Sequence, residues 1–520
     1  MTGSAGRFLP AVILIAVASA GIRARAFTEM DGVLPLGGLY VDERSFTLSA
    51  TVPGSQVFAR PPGMFVAAIV TGAAADPLRA RLVMSLLSLV PAAALLVFAR
   101  SRADRRWAML CAGGLALSPL MALSGMQVLP DAPAAALTAL ALLASSGKKD
   151  LLAGFLLGTA SLFRAELLLA LPVLFLLSVG KPGGIRGWGA AAAGCAAAAG
   201  PVVLLNLLAG GGPVMAANGA ENLWLGTSWE LVSTPPGIEF EELAAVGGGD
   251  PGLQTEFTSR AMQSISADPG GWAFMGLQKA LAFLTIPGPG RNIETGWVLG
   301  ATGLSLLLPL SFAAFAIGVG RCLRSPGGMS GMERMAVSMV AAGLISAIVF
   351  FPAARFRTPV LPALWFLAAS LVPCRRDLAV TLPAALLLIG LALFYRYPGM
   401  ERRGLASLLA AEHHILSGMP DAALESLESA RERGFAGADL ANLRGIALSM
   451  TGNLEEGLAC FRSAVEAAPA SPTAWKNLAV SLWNLGREGE ASAAARHAVT
   501  LNPLLLDTLR PILGLAGDVP

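Results

Sequence analysis

The residues that could do chemistry in this 520-residue chain are few and stand far apart. Asp42 and Glu43 form an adjacent acid pair in Gly38-Leu-Tyr-Val-Asp42-Glu43-Arg44-Ser-Phe46, followed by Phe58-Ala-Arg60-Pro61-Pro62. A carboxylate placed within reach of a hydroxyl can take its proton, although acid pairs are also ordinary in solvated loops. Asp131 is a lone carboxylate between apolar runs, in Gln127-Val-Leu-Pro130-Asp131-Ala-Pro133. Charge near a bilayer is costly, about 2.5–3.5 kcal/mol at a helix centre, so it has a task or a partner. N-capping of the Ala-rich run that follows is the rival reading. Arg355-Phe-Arg357-Thr-Pro359 puts two guanidiniums at the end of an apolar run, where they can grip a phosphate bidentately or snorkel to the boundary. Arg164 and Glu166 read as a pair satisfying each other at the surface. Glu221, Asn222 and Trp224 combine carboxylate, amide and indole groups of the kind that hold sugar rings, with an ordinary interfacial aromatic belt as the alternative. Lys279 follows Asp268-Pro-Gly-Gly-Trp272 on a predicted amphipathic helix.

Several chemistries are excluded. The three histidines (His413, His414, His497) all lie in the last 120 residues, so the rest of the chain has no imidazole base or ligand. The five cysteines are scattered without a CxxC pair, which implies neither a disulfide framework nor a zinc site. A net charge of +3, with no dense basic stripe, argues against nucleic acid as a partner. No glycine-rich phosphate loop follows a predicted strand.

The elements that must position these residues are membrane helices. The chain is 55% hydrophobic and 14% charged, with mean hydropathy +0.64, against roughly 25% charged for a soluble domain. Apolar runs of bilayer length recur near residues 8–22, 82–99, 107–124, 132–146, 151–163, 167–180, 188–209, 297–318, 335–353, 358–373 and 378–395, about eleven spans. Arg7, the apolar run Phe8 to Ile22 and the small residues Ala18, Ser19 and Ala20 have the order of a secretory signal, read here as an uncleaved first helix with its N-terminus inside. The short inside loops are then Arg100 to Arg106, Lys148-Lys149, Lys181 to Arg186, Arg321 to Arg334 and Arg375-Arg376, and every one is basic, as the positive-inside rule requires. Residues 27–80, the turn at Asp131, the long loop 210–296, the segment around Arg355 and the C-terminal part all fall outside.

Of the 71 charged residues, 24 lie in residues 401–520, which marks a water-soluble module. Gly418, Gly452 and Gly486 repeat at 34 residues, as do Ala430, Ala464 and Ala498, and Pro469 with Pro503. Three 34-residue units with glycine at the inter-helix turn form the tetratricopeptide pattern, whose stacks present a protein-binding surface or act as a stabilising appendage. The first unit has Phe435 where proline is expected.

The order of features resembles the polytopic GT-C glycosyltransferases, the group that includes protein O-mannosyltransferases and the aminoarabinose transferases of lipid A. The resemblance spans residues 8–400: the Asp42-Glu43 loop, Arg60-Pro61-Pro62, Ala80-Arg81-Leu82, Ser118-Pro119, Leu129-Pro130-Asp131-Ala-Pro133, Gly154 to Glu166, and Arg355 to Pro362. It implies an all-α fold: a bundle of about eleven transmembrane helices over residues 1–400, carrying a tetratricopeptide α-solenoid over 401–520.

Such enzymes move a sugar from a polyprenyl-phosphate donor to an acceptor hydroxyl on a protein, lipid or glycan. Carried over, Asp42 is the general base, Glu43 orients or shares that task, and Asp131 is a second acid facing the same cavity. The resemblance implies no certain cofactor; in metal-using relatives the second acid helps to bind a divalent cation. Arg355 and Arg357, with Arg60 and Lys279 in reserve, offset charge on the leaving phosphate, and Glu221, Asn222 and Trp224 face the sugar or acceptor. One base without a paired nucleophile points to single-displacement inversion. The Ala-, Gly- and Arg-rich composition suits a bacterial inner membrane, with the site and the repeats facing the periplasm. Expected partners are the lipid-linked sugar, an acceptor protein or glycolipid, a protein held by the repeats and membrane lipids. The competing reading is a non-catalytic scaffold or a lipid-linked-sugar transporter, although transporters place polar groups at the bilayer midplane on paired broken helices.

Overall fold

The computed structural model describes residues 5–31, 60–210, 212–227, 251–284, 328–370, 404–501 and 505–514, apart from positions 74, 103, 217, 218, 351, 353 and 470, together with 383, 386 and 390. Every regular element among them is a helix.

The body begins with α1 (Ala5–Asp31), α2 (Gly63–Thr71), α3 (Pro77–Leu87), α4 (Val90–Arg100), α5 (Arg105–Ala116), α6 (Pro119–Ser124), α7 (Asp131–Ser146), α8 (Asp150–Ser161), α9 (Ala170–Ser178) and α10 (Gly184–Leu208). Next come α11 (Gly219–Leu225), α12 (Pro251–Ala267) and α13 (Pro269–Leu284), then α14 (Gly331–Val349) and α15 (Leu361–Ser370). Two 3-10 segments, Ala165–Leu169 and Ala354–Val360, precede α9 and α15.

Three of these helical stretches are long and apolar enough to cross a membrane: Pro77–Arg100, Gly184–Leu208 and Gly331–Val349. The eleven expected runs do not become eleven full-length helices among the described residues. Proline accounts for one break. The run at 107–124 splits into α5 and α6 where Pro119 has no N–H to continue the ladder. Its counterpart at 358–373 starts as the 3-10 segment containing Pro359. The runs at 297–318 and, apart from three single positions, 378–395 lie outside the described residues.

The small-residue triplet at 18–20 sits inside the continuous helix α1, where Ser19 donates to the Ala116 carbonyl at 2.9 Å. Arg23, 4% exposed, donates to the Ala116 carbonyl and the Ser88 hydroxyl. Its charge therefore rests at the C-terminal ends of α5 and α3, where helix dipoles favour a cation.

The core is rich in alanine and glycine, which lets helices approach closely. At Gly154 in α8 a Cβ would lie 1.8 Å from the Ala191 carbonyl oxygen of α10. Around α7 pack Leu95, Phe98, Leu115, Met339, Leu361, Phe366 and Leu367. Polar groups collect at the two ends of α7. At the Ser145 end, Ser370 donates to Glu333 at 2.8 Å, Arg102 donates to the Ser370 carbonyl, and Asp150 lies in the field of Arg334. Asp131 is at the other end, 14 residues or about 21 Å away at 1.5 Å per residue.

Among its described residues the C-terminal part has six helices of three or more turns, α16 (Leu405–Leu416), α17 (Pro420–Glu432), α18 (Ala438–Met450), α19 (Leu454–Ala467), α20 (Pro472–Asn484) and α21 (Glu488–Leu501), and a short last helix, Leu506–Leu509. Gly418, Gly452 and Gly486 each follow the first helix of a pair with φ of 71°, 85° and 72°, a left-handed turn that favours glycine. Ala430, Ala464 and Ala498 are buried where the paired helices touch. Asn477 donates to Asn442 at 2.9 Å, tying the second pair to the third. This part is docked on the body: Leu123 and Met126, just before Asp131, share one apolar cluster with Leu408, Leu409, Leu427 and Phe435.

Candidate active site

Asp131 is the first residue of α7 and is fully buried. Pro130 occupies the N-cap position, and no side chain caps the helix there. The capping role weighed for Asp131 is therefore replaced by another: its Oδ1 accepts two hydrogen bonds from Arg164, from Nε at 3.0 Å and from Nη2. Its Oδ2 accepts no hydrogen bond among the described residues and faces Nη1 of Arg355 at 3.8 Å.

Arg164 is not a surface partner of Glu166 alone. It is 8% exposed, and its contact with Glu166, 3.4 Å from Nη1, is secondary to the Asp131 pair. The ring of Phe356 lies between the two guanidiniums, 4.3 Å from Arg164 and 5.3 Å from Arg355, in cation–π geometry. Three elements build this cluster: the N-terminus of α7, the 3-10 segment after α8 and the 3-10 segment before α15. Thr138 of α7 donates to the Pro359 carbonyl at 2.9 Å and fixes the last of these against α7. With Arg164, Arg355 and Arg357 set against Asp131 and Glu166, the neighbourhood carries one net positive charge.

The remaining expected residues are distributed as follows. Arg60 is half-buried just before α2, and the Gly63 N–H donates to the Leu162 carbonyl at 2.8 Å, which sets the Arg60-Pro61-Pro62 turn beside the chain leading into Arg164. Arg357 is 2% exposed, with Nη1 at 3.5 Å from the Phe283 carbonyl. Of the two arginines expected to form one clamp, Arg355 faces Asp131 and Arg357 reaches the end of α13.

Lys279 is fully buried, and its ammonium donates to the carbonyls of Gly226, of Ile348 at 3.3 Å and of Phe350 at 2.8 Å. Burial lowers its pKa to about 8. All three of its protons are engaged, so it ties α13 to the ends of α11 and α14 and is not free to meet a phosphate. Glu221 is buried and Asn222 half-buried in α11. Trp224 stacks on Phe257 at 5.3 Å, with Arg260 at 5.7 Å. Its indole thus packs α11 against α12. Asp42 and Glu43 lie outside the described residues.

Sequence reasoning passed over Arg164 and Phe356 as site residues. The available signal was the Arg-x-Glu that closes the Gly154-xxx-Gly158 helix. Nothing local indicated that its partner stands 33 residues upstream. Among the described residues, no three His, Cys, Asp or Glu side chains come together to form a metal site. What the cluster suits is an oxyanion: guanidiniums pre-positioned by a buried carboxylate can receive developing negative charge without reorganising.

No protein-family model matches the chain, and no curated protein matches its sequence.

Proposed function

We propose that the chain is an integral membrane glycosyltransferase that passes a sugar from a polyprenyl-phosphate donor to an acceptor hydroxyl, at the membrane face where Asp131 lies. The observation that carries this reading is the buried carboxylate of Asp131 with a guanidinium on each side, Arg164 bonded to one oxygen and Arg355 facing the other at 3.8 Å. A phosphate is already a tolerable leaving group, so the protein must supply a base, a positive clamp and access for a lipid tail. The segregation of polar groups to opposite ends of α7 supports a site at one membrane face.

In this reading Asp131 is a positioning residue that aims Arg164 and Arg355 at the leaving phosphate, a narrower role than a second catalytic acid. Asp42 is the base that takes the acceptor proton, Glu43 assists it, and the reaction inverts the sugar carbon. The bundle has about eleven spans in a bacterial inner membrane with the site facing the periplasm. The C-terminal units are tetratricopeptide repeats that engage an acceptor or partner protein.

The test is transfer from labelled polyprenyl-phosphate sugar by the full chain in detergent, comparing the parent with Asp42→Asn and Arg355→Gln. The expected result is that both variants purify as the parent does, that Asp42→Asn loses turnover, and that Arg355→Gln lowers kcat/KM. Equal turnover by Asp42→Asn removes Asp42 from the base role. No transfer by the parent across a panel of polyprenyl-phosphate sugars and acceptors overturns the reading.

A further inference from the structure

The Asp268-Pro269 corner joins two helices with opposite kinds of surface. On α12 the exposed side is mostly polar, with Thr255, Thr258, Ser259, Arg260, Gln263 and Ser264 around one exposed apolar residue, Met262. On α13 the exposed side is apolar: Phe274 is 62% exposed and Leu277 57%, with Ala273 beside them. These positions recur at helical spacing, and no charged residue interrupts them. The opposite side of α13 (Met275, Gly276, Lys279, Ala282 and Phe283) is buried. The corner itself is fixed by Asp268, which accepts from the Gly271 N–H at 2.8 Å.

The buried side fixes the level at which the stripe sits. A Cβ at Gly276 would touch Ile348 Cγ2 at 3.4 Å, and the Lys279 ammonium is bonded to the Ile348 and Phe350 carbonyls. Both contacts fall at the C-terminal end of α14, one of the helices long and apolar enough to cross a membrane. Ile345, three residues before Ile348 on α14, is also exposed, so the helix against which α13 packs has an exposed apolar residue near the same end. A bare Phe and Leu stripe facing water is unfavourable, whereas the same stripe at the end of a spanning helix meets acyl chains.

From this we infer that α13 is a membrane-interface helix, with Phe274 and Leu277 among phospholipid acyl chains while α12 stands in water. Its burial of Lys279 on the protein side explains how a helix with a lysine can present an uncharged face to lipid. The inference rests on the membrane reading of α14 and not on glycosyl transfer.

The experiment places the photo-crosslinker benzoylphenylalanine singly at Phe274, Leu277 or Gln263 of the full chain, in vesicles of phosphatidylethanolamine and phosphatidylglycerol. After irradiation, peptides are read by mass spectrometry. The expected result is phospholipid-sized mass additions at 274 and 277 and none at 263. Chain-to-chain crosslinks at 274 and 277, no lipid adduct at either, or equal adducts at all three positions each overturn the inference. Because the readout is a mass shift, it succeeds or fails independently of any transferase assay.

Discussion

Arginine and carboxylate meet in both parts of the molecule, in settings that give the same pair opposite weight. In the C-terminal helices, Arg487 and Glu490 lie 2.7 Å apart with side chains 36% and 53% exposed, and Arg431 pairs with Glu428 at similar exposure. In the body, Arg164 and Asp131 pair with side chains 10% and 0% exposed. Water already satisfies the first kind, so forming or losing it changes little. The second has displaced its water, so removing one partner strands the other in an apolar core. Ion-pair chemistry is therefore a surface detail in the tail and an organising constraint in the body.

The strongest way to break this comparison is to remove one buried partner. Asp131→Ala and Arg164→Ala are each expected to cost about 3–5 kcal/mol of stability, read as a lowered unfolding midpoint in detergent. Replacing both with leucine is expected to cost less than the sum of the two single changes, because each single change already breaks the same pair, while Arg355 still loses the carboxylate it faces. If the two single variants unfold like the parent, the cluster is not the buried pair described here.

Packing sharpens the same contrast at a smaller scale. Gly154→Ala forces a methyl onto the Ala191 carbonyl and is expected to destabilise by about 1–3 kcal/mol. Gly489 in α21 has nothing within 4 Å of its would-be Cβ, and Gly489→Ala is expected to stabilise by about 0.4–1 kcal/mol. Opposite signs for one substitution measure how much tighter the body is than the tail at these two sites. Equal signs would show that close approach at Gly154 relaxes without cost.

How much was legible beforehand follows the same division. The 34-residue period marked Gly418, Gly452 and Gly486 as turns, because a left-handed backbone leaves a residue-type signature at its own position. Hydropathy marked where helices lie in the body, but not that Pro119 divides one run. The pairing of Asp131 with Arg164 left no mark, since a contact made 33 residues away has no local pattern. Asp131 next to Pro133 imitated a cap, and Arg164 next to Glu166 imitated a surface pair. Arg355-Phe-Arg357 stood out as two guanidiniums at the end of an apolar run, but nothing local told that Arg355 faces Asp131 while Arg357 reaches the Phe283 carbonyl.

Lys279 gives the comparison a pH axis. Burial holds its folded-state pKa near 8, below the ordinary lysine value of 10.5. Between those values the unfolded chain binds the proton and the folded chain does not, so stability from this residue rises with pH. Below about pH 8 both states are protonated, and the folded state bears the cost of a buried charge. Unfolding midpoints of the parent and Lys279→Met from pH 7 to 10.5 check this: the parent is expected to gain on the variant as pH rises. A constant difference would mean that the three carbonyls keep the ammonium charged throughout.

The smallest expected effect tests the other side of the comparison. The Arg431 hydrogen bond and charge hold the Glu428 carboxyl below the usual glutamate range. Whatever the pair contributes is thus present above the ordinary glutamate pKa and lost as pH falls below it. Both side chains are solvated, so Arg431→Ala is expected to leave the unfolding midpoint unchanged at pH 7 within repeatability, with added salt making no difference. Arg164→Ala, measured alongside, supplies the scale. Were Arg431→Ala to cost as much as Arg164→Ala, burial would not be what separates the two pairs.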